Sequence, residues 1–71
     1  MCAKEVLDAC FMETRAKLIE IAANLDRVER AAEFSEVRED SRLRFVQEAL
    51  EILRSGRPNR AELILKLYSK D

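Results

Sequence analysis

Between Ala3 and Ala32 the chain holds neither Gly nor Pro, and its apolar residues fall at helical spacing. Leu7, Phe11, Thr14, Leu18, Ile21, Leu25, Val28 and Ala32 alternate by steps of four and three. That rhythm is the heptad seam of a helix that packs against another, with Thr14 as its one polar member. Cys10 and Ala22 flank the seam and widen it into a band. A second series, Ala9, Met12, Ala16, Ile19 and Ala23, keeps the same rhythm. At about 100° per residue it lies nearly opposite the first. Charged ridges separate the two, with Asp8, Arg15 and Asp26 on one side and Glu13, Lys17, Glu20 and Arg27 on the other. The pattern predicts one helix over 3–32 with two apolar faces. The plainer reading of the second face is that alanine favours helices and tolerates water, and only Met12 and Ile19 speak firmly against it.

Glu33 to Asp40 breaks the rhythm with four acids and reads as a connection over 33–40, with Phe34 and Val37 tucked back against the helices. Asp40 is placed to cap a second helix over 41–55. Leu43, Val46, Leu50 and Leu53 supply its seam, and Phe45, Ala49 and Ile52 form a second series on another face. Gly56 stands where a helix stops in the left-handed region. Pro58 and Asn59 then open a third helix over 59–69, and Asn59 with Glu62 has the spacing of a capping box. On that helix Ala61, Ile64, Leu65 and Tyr68 mark one face while Leu63 and Leu67 point elsewhere. The chain is expected to end in a frayed Ser69-Lys70-Asp71.

These elements predict an all-α chain forming a single helical domain over 1–71. One long N-terminal helix packs with two shorter ones, as a three-helix bundle or an extended helical hairpin. At 1.5 Å per residue the first helix spans about 45 Å and the other two together about 40 Å, so both arrangements fit. Each helix carries more apolar surface than one neighbour covers. Self-association is the expected answer, most simply a two-fold dimer forming a larger bundle. The residues expected at a subunit or partner interface are Met12, Ala16, Ile19, Ala23, Phe45, Ile52, Leu63 and Leu67.

Composition supports this picture and thins out the chemistry. With 71 residues, 48% of them hydrophobic, one Gly and one Pro, the chain is too apolar for disorder and too poor in turn residues for sheet. A chain this short is also near the limit of what a single core sustains. Its 13 basic and 14 acidic residues nearly cancel. Nucleic-acid binders show a basic excess or patch, and here only the C-terminal end, with Arg54, Arg57, Arg60, Lys66 and Lys70, leans that way. No charge-free apolar run reaches membrane-spanning length, and the N-terminus carries acids where a signal peptide has an apolar stretch. Those features place the chain in the cytoplasm by expectation.

The candidate sites are few. Glu13 and Glu20 are spaced like carboxylates of a helical di-iron site, but such sites also need His, and the chain has none. Lys17, four residues beyond Glu13, makes a surface ion pair the simpler reading. Asp26 and Arg30 have the same favourable spacing, and Glu29 leans towards the seam, where an arginine such as Arg42 or Arg44 could meet it. Gly56-Arg57-Pro58 has the centre of a minor-groove hook but lacks the preceding Arg, and a helix stop followed by a helix start accounts for it. Cys2 and Cys10 lie too far apart on one helix to bridge each other, and buried thiols are the first expectation. Without His, neither thiol nor any Ser has the usual base. The expected function is therefore a non-enzymatic helical interaction module, binding a second copy or a helical protein partner, with no cofactor or metal. A small regulatory protein associated with nucleic acid through the basic end is the alternative.

Overall fold

The computed structural model describes Met1–Ser69, so Lys70 and Asp71, with the fraying predicted for them, lie outside the described residues, while Ser69 donates its N–H to the Leu65 carbonyl at 3.1 Å. Three α-helices, α1 (Ala3–Arg30), α2 (Ser41–Arg54) and α3 (Arg60–Tyr68), and a 3-10 turn at Phe34–Glu36 make up the regular structure of the described residues. There is no strand among the described residues. The chain divides into two units, Met1–Phe34 and the residues from Ser35 onward.

The first unit is α1 and its exit. The helix starts because Glu5 reaches back to accept the Cys2 N–H at 3.1 Å, filling one of the amide positions left open in a first turn. That bond, with a second contact from the Cys2 side chain, holds the Glu5 carboxyl below the usual range. Lys4 with Asp8 at 3.0 Å and Lys17 with Glu13 at 2.8 Å add ion pairs one turn apart. Both pairs are solvent-facing and worth a few tenths of a kcal/mol each. Thr14, the polar member of the seam, turns its hydroxyl to the Cys10 carbonyl at 2.9 Å and so satisfies itself within its own helix. The helix stops at Arg30, two residues before the predicted end. Ala31 is already extended, its N–H returning to Arg27 and Val28 carbonyls, and Glu33 takes a left-handed conformation at φ 63°.

The second unit is a helical hairpin. Asp40 caps α2 with its Oδ1, which accepts the Arg42 N–H at 2.8 Å. The same carboxylate also takes the Arg42 guanidinium, Nε at 3.0 Å and Nη2 at 2.9 Å. The α2 helix ends through Ser55, whose hydroxyl donates to the Ile52 carbonyl at 2.7 Å and accepts the Arg57 N–H at 3.3 Å. Gly56 turns the corner at φ 78°. The expected Asn59–Glu62 capping box does not form. Asn59 itself adopts the left-handed region at φ 60° and its side chain makes no capping bond, while Glu62 pairs forward with Lys66 at 3.2 Å.

That corner folds α3 back onto α2, and Phe45 meets Tyr68 edge to face at 5.5 Å. Leu43, Phe45, Val46, Ala49, Leu50 and Ile52 of α2 become half-buried, as do Leu63, Ile64 and Leu67 of α3. The face predicted for α3 is thus rotated. Leu65 and Tyr68 stay exposed, whereas Leu63 and Leu67 turn inward. Among the described residues no side chain is fully buried.

Candidate interaction surface

A 28-residue helix with no buried residue is an unusual object in water. Most helical stability in proteins comes from packing an apolar face, and length and propensity alone supply little. In α1 the seam stands open: Leu7 is 58% exposed, Phe11 51% and Leu18 53%. The opposite series is open too, with Met12 at 67% and Ile19 at 51%. Ala16 is exposed and Ala23 half-buried. Single exposed apolar residues are ordinary, whereas here a file of them runs along one face of the helix.

The other four residues predicted at an interface lie in the second unit, and the hairpin brings them together. Ile52, Leu63 and Leu67 line one shallow depression with Lys66. Phe45 and Leu67 line a second with Val46 and Tyr68, rimmed by Ser41, Arg42, Arg44 and Glu48. All four are half-buried against their own hairpin, which accounts for much of their apolar surface without a second chain.

Electrostatics along the chain is local. Arg42 is held by Asp40, and the Asp40 carboxyl is pushed down to about 2, first by the Arg42 side chain and then by its backbone amide. Arg44 faces Glu39 at 3.6 Å. Both arginines proposed from sequence as partners for Glu29 therefore have carboxylates of their own. Arg27 donates to the Asn24 side chain. Glu13 is held below, and Lys17 above, the usual range by their mutual hydrogen bond, so Glu13 serves an ion pair. Among the described residues no cluster of acids and thiols is arranged to hold a metal ion. Both cysteines are free, Cys2 exposed and Cys10 half-buried, so neither is the buried thiol expected from the sequence. At the basic end, Lys66 is paired with Glu62 and Arg60 donates to the Arg57 carbonyl at 3.2 Å. Among the described residues no helix is long and apolar enough to cross a membrane.

No known family model matches the chain, and no curated protein or solved structure is similar to it.

Proposed function

We propose that this chain is a non-enzymatic helical association module that works through the surface of α1. The observation that carries the reading is the open heptad seam, with large apolar side chains half exposed along most of a 28-residue helix. Burying such a file against a second helix supplies the stability that a lone helix lacks, at about 25 cal/mol per Å² of apolar surface covered. The simplest partner is a second copy, which gives a two-fold dimer and a larger helical bundle. The opposite stripe, around Met12, Ala16, Ile19 and Ala23, then remains available for a further helix from another copy or from a different protein.

Equilibrium sedimentation across a wide concentration range tests this reading. The expected result is a mass above that of the 8.2 kDa chain, rising with concentration. A constant single-chain mass at high concentration would remove self-association from the account.

A further inference from the structure

We infer that two copies of α1 pair antiparallel along the heptad seam, locked by reciprocal ion pairs between Arg15 of one copy and Glu29 of the other. The inference deepens the association reading above and rests on it.

The seam itself is compatible with either direction, so the charges beside it decide. In a two-helix pairing the residues just outside the apolar seam set orientation and register. Arg15 and Glu29 each follow a seam residue, Thr14 and Val28, by one position. Both are solvent-exposed, and neither has an ion-pair partner among the described residues. The ion pairs of the helix are made by Lys4 with Asp8 and Lys17 with Glu13, which leaves these two for something else.

An antiparallel two-fold that centres Leu18 against Ile21 of the second copy also places Phe11 against Val28 and Thr14 against Leu25. Each layer recurs by symmetry. In that register the side chains following the seam meet their own kind from the other helix. Side chains lean towards their helix N-terminus, so Arg15 and Glu29 of the second copy lean towards each other. The pair forms twice. On the other flank Lys17 approaches Asn24, and Cys10 approaches Ala31; on the flank of Arg15 the like-charged neighbour of Glu29 is Asp8 of the second copy, whose carboxylate leans away from it and is held by Lys4 at 3.0 Å.

A parallel pairing has none of this. It sets Arg15 against Cys10 and Glu29 against Asn24 of the second copy, and the charges go unanswered. It also stacks Thr14 on Thr14 and, just beyond the N-terminal end of the seam, brings Lys4 of the two copies together. Like-charge juxtaposition at the end of the seam disfavours that arrangement.

Charge reversal and mixing test the inference. Arg15→Glu alone and Glu29→Arg alone each turn two attractions into two repulsions and should weaken self-association by about tenfold. An equimolar mixture of the two variants should recover wild-type strength as a mixed dimer. Only in the mixed pair does the introduced carboxylate at position 15 face the introduced guanidinium at position 29, while the native Arg15 and Glu29 face each other. The double variant in one chain should recover as well. Sedimentation reads the mass, and circular dichroism confirms that each variant stays helical. If the wild-type chain associates while both single variants associate equally well and show no preference to mix, the antiparallel pairing is wrong and the module reading stands. If the wild-type chain is monomeric, both fall together.

Discussion

Phe45 and Tyr68 meet edge to face with centroids 5.5 Å apart and ring planes inclined at 69°. Phe45 lies in the first half of α2 and Tyr68 is the last residue of α3, so one contact ties the open ends of the hairpin together. Such aromatic pairs contribute about 0.5–1.5 kcal/mol beyond the area they bury. A double-mutant cycle with Phe45→Leu and Tyr68→Leu should return a coupling energy in that range by urea denaturation. A coupling near zero would mean that the rings merely sit side by side.

Gly56 takes φ 78°, and a Cβ built there would meet nothing within 4 Å. The cost of a side chain at this corner is therefore conformational, with no steric component. Gly56→Ala should destabilise the hairpin by about 1 kcal/mol, and Gly56→Asn by less, since Asn visits the left-handed region more readily. Thermal unfolding of the two variants beside the wild type gives the order.

Asp40 gives a pH dependence of predictable sign. Its carboxyl lies at about 2 in the folded chain, against an ordinary value of 3.8. Folding lowers this pKa, so the cap contributes its full stability above about pH 4. That contribution is lost as the pH falls through about 2. Asp40→Asn keeps a capping oxygen without the charge. The difference in helix stability between wild type and Asp40→Asn, followed by circular dichroism, should be largest above pH 4 and shrink towards pH 2.

The helix boundaries set by one residue's own chemistry were legible in the sequence. Asp40 caps α2 because a carboxylate accepts amide N–H groups, and Gly56 ends it because only Gly enters the left-handed region at no steric cost. What the sequence could not carry were choices made between elements. Asn59 had the spacing for a capping box, but it spends its conformation on the corner after Pro58, and its side chain makes no bond to the first turn of α3. Leu65 and Tyr68 were grouped with Ile64 by periodicity alone. Which part of a broad apolar band turns inward depends on what α2 presents, and Phe45 and Ile52 draw Leu63 and Leu67 instead. The same limit applies to α1. Its two stripes could be read from spacing, but spacing cannot say what covers either one.

Thr14 offers a graded test of the seam. Its hydroxyl is satisfied by the Cys10 carbonyl, so removing it leaves no buried orphan. Thr14→Leu completes the apolar file and, in the antiparallel register, sets Leu against Leu25. Association should tighten by several-fold, at about 0.8 kcal/mol for each additional buried methylene. Sedimentation would show the shift, and unchanged association would mean that the seam does not form the contact.

Leu18, Ile19 and Glu20 are consecutive, and each step around the helix is about 100°, so the three sample different faces. Leu18 lies at the centre of the seam, Ile19 on the opposite stripe and Glu20 on a charged ridge. All three are exposed within the single chain, so substitutions there should leave the helix itself nearly intact. Leu18→Glu places a carboxylate at the centre of the proposed contact, where burying an unpaired charge costs several kcal/mol, and should reduce the assembly to single chains. Ile19→Glu should spare the seam pairing but abolish any larger species or helical partner held by the second stripe, whereas Glu20→Ala should change neither. Sedimentation of the three variants separates the faces. If Ile19→Glu dissociates the basic pair while Leu18→Glu does not, the two stripes have exchanged roles, and the contact belongs to the face of Met12, Ala16, Ile19 and Ala23.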